Sequence, residues 1–237
     1  MAEKYRVPPI TESVVEFRFS TPVSFEAIEK REPKLKRNYP NVVSNIEVKA
    51  NFSKSGMSGS QNPIGKKFTT RDQLQVMVVN ADLLAIGQLA PYPGWDEFRE
   101  RVKRDYLAHV EQFGRRQISR IGMRYINRID VEAQTAEVQD YLNVYPTTPI
   151  KADGGMTFAL QATQQLPNSK YGVTLQSASV EPPVPRNLSF LLDIDVFRAV
   201  DIPSRDDHIL ELLEEMRIIK NSIFESSVTD QARKLFN

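Results

Sequence analysis

The chain contains no cysteine. That excludes disulfides, thiolate metal sites and cysteine catalysis, and it fits a cytoplasmic setting. Histidine is scarce, with only His109 and His208. Charge of one sign is missing too: 31 Lys and Arg against 30 Asp and Glu leave a net charge of +1. No global field draws the molecule to nucleic acid or membrane, so any electrostatic function must be local. No run approaches the roughly 20 apolar residues of a membrane span, and the opening MAEKYRVPPITE has no apolar core of signal-peptide length. The expectation is a cytoplasmic protein with no membrane partner. Also missing are a nucleophile elbow, an HExxH motif and a dinucleotide fingerprint. The segment SGMSGSQNPIG at 55–65 is glycine-rich but lacks the Gly-Lys-Ser/Thr ending of a phosphate loop. No cofactor and no enzyme class is implied, and the stretch 53–65 reads as a flexible polar connector.

What is present is a globular composition, 41% hydrophobic and 26% charged over 237 residues, enough to bury a proper core. Within it, RRQISRIGMRYINRIDV at 115–131 places Arg116, Arg120, Arg124 and Arg128 at every fourth position. That spacing suits one face of a helix or of a strand. The intervening Ile, Tyr and Val and the lack of helix formers favour a strand. Ile121, Met123, Tyr125, Asn127, Ile129 and Val131 then form its buried face, and the arginines a basic stripe on the other.

Other segments follow the same two periods. SVVEFRFS at 13–20 alternates as a half-buried strand with Glu16 and Arg18 outward. Residues 24–37 read as a helix capped by Ser24, with Pro33 expected to break or kink it. Strands are expected at 42–52, 66–71, 74–80 and 83–90, with turns at TRDQ (70–73) and VNAD (79–82). Trp95, Phe98, Val102, Tyr106, Val110 and Phe113 mark a long helix closed by Gly114. After the arginine strand come a short helix near 135–142 and strands at 155–164, 171–181 and 187–198. Another long helix follows Ser204, where S-R-D-D reads as a capping box, and a last turn follows Thr229.

Each half therefore reads strand, short helix, three or four strands, long helix: residues 1–114 and residues 115–237. The predicted class is α+β, two pseudo-equivalent β-α-β-β-β(-β)-α halves sharing a long antiparallel sheet with the long helices on one face. This order resembles the TATA-binding-protein-like fold. At family level, YRVPPITESVVEFRF, RIGMRYINRID, LLDIDVF (191–197) and IFESSVTD resemble a sporadically distributed bacterial family of uncharacterised proteins. That resemblance implies no activity.

Helices on one face leave the other open. Alternation assigns it Glu16, Arg18, the four arginines, Gln161, Thr163, Thr174, Gln176, Asp193 and Asp195. Two readings stay open. The first is a self-neutralising ladder, with Glu16, Asp193 and Asp195 partnering Arg18, Arg120 and Arg124. The second is recognition of an anionic ligand or nucleic acid by arginine forks about 13 Å apart. A protein partner and a homodimer also fit. The leading expectation is a non-enzymatic binding or interaction protein. The alternative is a metal-dependent phosphoryl-transfer enzyme using Asp193, Asp195 and Arg124. His109 reads as a core-edge residue, and His208, beside Asp206 and Asp207, as part of a solvated helix start.

Overall fold

Alternation builds the first element. In β1 (Ile10–Phe19), Ser13, Val15, Phe17 and Phe19 are buried while Glu16 and Arg18 point outward. The computed structural model describes residues 5–53, 56–149 and 156–237. Helix α1 (Phe25–Leu35) starts where the Ser24 side chain accepts the Ala27 N–H, and it buries Ile28 and Leu35. Of the break or kink expected at Pro33, the break does not occur there: the helix runs on past the proline and ends two residues later at Leu35.

Four strands follow: β2 (Asn41–Ser53), β3 (Gly56–Thr69), β4 (Gln75–Asn80) and β5 (Leu83–Leu89). The connector expected at 53–65 is therefore corrected. Residues 54–55 lie outside the described residues, but 56–65 belong to β3 and pair with β2 from Ser53↔Gly56 to Asn45↔Gly65. The register jumps from Asn45↔Gly65 to Ile46↔Pro63, so Ile64 is a bulge beside the proline. Long-range pairing outweighs the turn-like composition of this stretch. The two turns fall as expected, with Gln73 at positive φ in the first and Ala81–Asp82 closing the second between Asn80 and Leu83.

Helix α2 (Trp95–Phe113) ends at Gly114, whose φ of 74° suits glycine. Next come β6 (Ile118–Val131), a single 3-10 turn at Val138–Asp140, β7 (Ala159–Gln165), β8 (Tyr171–Val180) and β9 (Leu188–Arg198). Helix α3 (Asp206–Ser227) and the short α4 (Asp230–Lys234) complete the chain, the latter capped by Thr229. Helix α3 takes its N-cap one residue past the Ser204 expected for it, at Arg205, whose side chain makes no cap bond.

All nine strands form one antiparallel sheet in the order β2-β3-β4-β5-β1-β6-β9-β8-β7, so the fold is α+β. Read outward from β1 the order is β5, β4, β3, β2; read outward from β6 it is β9, β8, β7. Two compact units divide the chain. The N-terminal unit is Val15–Leu89 with Pro93–Ile121; the C-terminal unit is Gly122–Asn237 with Met1–Val14 and Ala90–Tyr92.

In the N-terminal unit, the Phe17 and Tyr106 rings meet at 4.8 Å and Phe19 stacks on His109 at 5.1 Å. Lys66 reaches Glu32 on α1. Both helices thus cover the face that buries Phe68, Met77 and Ile86. In the C-terminal unit, α3 packs on β9 and sets Lys220 over the Tyr125 ring of β6; Leu192, Ile194 and Tyr125 of the sheet and Leu212, Leu213 and Met216 of the helix are all buried. The N-terminal segment joins this core through Tyr5, whose ring meets Phe236 edge-on at 5.3 Å.

Candidate functional site

The arginine segment is a strand, and Ile121, Met123, Tyr125, Asn127, Ile129 and Val131 are its buried face. On the open face of the N-terminal unit, Glu16 holds two arginines. Arg18 Nε donates to its Oε1 at 2.7 Å and Arg120 Nη1 to the same oxygen at 3.0 Å. On the open face of the C-terminal unit, Arg124 Nε donates to both oxygens of Asp193 at 3.0 Å, and its Nη2 closes the fork. That bond raises the Arg124 pKa above its ordinary value, against the opposing effect of burial. Arg128 donates to Asp130 at 3.0 Å. Asp130 also accepts from Ser189 Oγ. Arg18, Arg120, Arg124 and Arg128 therefore each have a carboxylate within hydrogen-bond reach.

The register lines up the rest of this face. Gln161, Gln176 and Asp193 form one row across β7, β8 and β9; Thr163, Thr174 and Asp195 form the next. Gln176 donates to Gln161 at 3.0 Å, and the Thr163 and Thr174 hydroxyls meet at 2.9 Å. Asp193 is hardly exposed: its side chain keeps 4% of its area, against 47% for Arg124. Two acids do share a face here, as expected, but both Asp193 oxygens are occupied by Arg124. Among the described residues no group of three His, Cys, Asp or Glu could hold a metal ion.

Arg116 does not join the row. It precedes β6, so alternation does not govern it. Its guanidinium lies 3.9 Å from the centroid of Phe19, a core ring. It donates to the carbonyls of Thr21 and Ala81 at 2.9 and 3.0 Å and faces His109 Nε2 at 3.1 Å. Burial, together with the Arg116 charge, lowers the His109 pKa to about 3. The imidazole is neutral, accepts a hydrogen bond from Arg116 Nη2 at Nε2, and carries its proton at Nδ1, which has no hydrogen-bond partner. His109 is thus a core residue, not a core-edge one. His208 is exposed at the start of α3, with its N–H on Asp207.

Three features lie outside the expected site. Arg101 and Asp105 on α2 are buried with Tyr39, whose hydroxyl donates to Asp105. Burial, then the Asp105 charge, pushes the Tyr39 pKa up to about 12. Arg101 Nη2 donates to the Gly87 carbonyl at 2.9 Å, tying α2 to β5. The signal was Arg101, Asp105 and His109 at four-residue spacing beside the apolar stripe. On α3, Lys220 is buried with its ammonium 4.2 Å from the Tyr125 ring centroid, and burial lowers its pKa to about 8. Third, the open face of the N-terminal unit mixes apolar and polar residues away from Glu16. Its rows are Val43, Lys67, Val78, Ala85 and Asn41, Thr69, Val76, Gly87, with Asn45 donating to Asn80 at 3.0 Å in the next. Val43 is 66% exposed, and Val76, Val78 and Ala85 are half-buried.

No family model matches the chain. No curated protein matches it either. Among solved structures, a match to the PH1012 protein from Pyrococcus horikoshii OT3 is 12% identical. It covers 95% of this chain and 99% of that one at a TM-score of 0.14. At that score the likeness carries no argument about fold or function. No helix among the described residues is long and apolar enough to cross a membrane.

Proposed function

We propose that the protein is a non-enzymatic interaction protein that presents the open face of its N-terminal unit to another protein. The observation that carries this reading is the uncovered row Val43, Lys67, Val78 and Ala85, opposite the face that the unit's helices cover, with Val43 66% exposed and Val78 and Ala85 half-buried. Apolar side chains left on an uncovered face beside a charged rim residue are the ordinary signature of a docking face. Lys67, in the same row, adds a cation that an acid on the partner would answer. In this reading the arginines are scaffold. They hold neighbouring strands through Glu16, Asp193 and Asp130 and are not free to read phosphate. The anion or nucleic-acid reading requires them to leave those carboxylates, and the phosphoryl-transfer reading requires Asp193 to release Arg124.

The test is a photo-crosslinker placed in cells at Val43 or, as a control, at Ile218 on α3, both 66% exposed. A discrete protein adduct from Val43 and none from Ile218 is expected. Identical products at both sites, or none at Val43, would overturn the proposal.

We further infer that the two series of elements descend from one duplicated unit, because the outward strand orders β1-β5-β4-β3 and β6-β9-β8-β7 correspond. The resemblances to the TATA-binding-protein-like fold and to the sporadic bacterial family are carried on the same footing. Co-expressed fragments 1–114 and 115–237 should associate into a folded complex; two insoluble fragments would count against that division.

A further inference from the structure

We infer that β7 is an assembly edge, at which a second copy of this chain adds its own β7, antiparallel, about a twofold axis at Ala162. This stands apart from the docking face proposed above. Among the described residues, strand β7 ends the sheet and pairs with β8 alone. Just beyond its two ends, Ser179 N–H donates to Phe158 O and Leu166 N–H to Tyr171 O, both at 2.9 Å. Antiparallel partners alternate between hydrogen-bonded and non-hydrogen-bonded pairs. The even-numbered residues from Phe158 to Leu166 therefore direct their main-chain groups at β8. The odd-numbered Ala159, Gln161, Thr163 and Gln165 direct theirs away from the sheet, and all four are exposed. A row of free donors and acceptors is a template for another strand.

The two edges of the sheet are treated differently. Strand β2 carries Glu47 and runs against the bulge in β3. Strand β7, Ala-Leu-Gln-Ala-Thr-Gln-Gln, has no charge, no proline and no break in its register. A charged strand would repel its own copy; this one does not, and a net charge of +1 adds little repulsion. The register that uses all seven residues centres on Ala162. It sets Gln161 opposite Thr163 of the second copy and Ala159 opposite Gln165, so outward-facing main-chain groups meet as hydrogen-bonded pairs. The amide and hydroxyl rows that already run from β8 to β7 would continue across the axis. A seven-residue edge covers less than the ~800 Å² per partner of a standard interface, so the dimer is weak and concentration-dependent.

Ala162 would face itself as a non-hydrogen-bonded pair, with Cα atoms about 4.5 Å apart, inside the range a disulfide accepts. Because the chain has no cysteine, Ala162→Cys introduces the sole thiol. Mild oxidation should give a disulfide dimer at least tenfold faster than Ile218→Cys. Thr163→Pro removes an N–H that β8 does not use. It also removes the Thr163–Thr174 hydroxyl contact, so its melting temperature should fall no further than that of Thr174→Val, while self-association weakens at least tenfold relative to that variant in sedimentation runs. Three results would overturn the inference: a wild type that stays monomeric up to millimolar concentration, equal cross-linking of the two cysteine variants, or a folded Thr163→Pro variant that associates like wild type.

Discussion

In the C-terminal unit the outward side chains of the sheet bond to one another: Gln161 with Gln176, Thr163 with Thr174, Arg124 with Asp193. In the N-terminal unit Glu16 serves Arg18 and Arg120 and Asn45 bonds Asn80, while Val43 stands exposed and Val76, Val78 and Ala85 half-buried on the same face. Both faces arise from the same alternation of side chains. They differ in whether the outward residues satisfy each other. A charged row that is internally paired offers a ligand little, whereas apolar side chains on an open face have no such internal partner. In the proposed function, the surface with the plainer sequence is therefore the docking face.

Acid should separate the units most strongly. His109, in the N-terminal unit, has a folded pKa of about 3, below its ordinary value near 6.5. The unfolded chain binds its proton first, so stability falls as pH drops from about 6.5 towards 3, at up to about 1.4 kcal/mol per pH unit. Thermal melts of wild type and His109→Phe across that window should show a shallower slope in the variant. Parallel slopes would remove His109 from the account.

The next largest contrast lies between two arginines. Arg124→Met leaves the nearly buried Asp193 carboxylate without its fork and should cost about 2–3 kcal/mol in denaturant unfolding. Arg18→Met breaks an exposed pair and should cost under about 1 kcal/mol. Equal losses would erase the distinction between the faces. A smaller effect is expected from Thr174→Val, which removes the hydroxyl contact with Thr163; about 0.5–1 kcal/mol should be lost. Smallest of all in stability is Val43→Lys, within about 0.5 kcal/mol of wild type. That variant should still abolish partner cross-linking from a reporter at Lys67.

Much of this could be read from residue order, wherever a period of two or 3.6 ran unbroken. Strand β6 was legible because Ile121 to Val131 alternate without a lapse, and α2 because Trp95, Phe98, Val102 and Tyr106 repeat at helical spacing. Asp193 and Asp195 were placed on the open face by Leu192, Ile194 and Val196 between them. Arg116 was misplaced because the alternation was carried past the start of the strand at Ile118, into a segment whose path is set by Phe19 and His109. The first part of β3, 56–65, was missed because Gly, Ser and Pro within it signal a turn, while the partner that holds it extended, β2, acts through main-chain pairing that no side-chain pattern records; its end was legible in the strand expected at 66–71. The apolar open face went unseen for a related reason. Val76 and Val78 look like any strand residues until the register shows that Met77 and Val79 take the buried side.

The central claim is that the arginines of β6 and β1 are held by carboxylates and do not read anions. Fluorescence anisotropy with single- and double-stranded DNA and RNA, begun at low salt and titrated upward, tests it most directly. The account predicts no salt-sensitive binding by wild type, and a lower melting temperature for the Arg120→Glu, Arg124→Glu double variant. It would be contradicted by tight binding at low salt whose affinity falls linearly with salt on logarithmic axes and vanishes in a stably folded double variant.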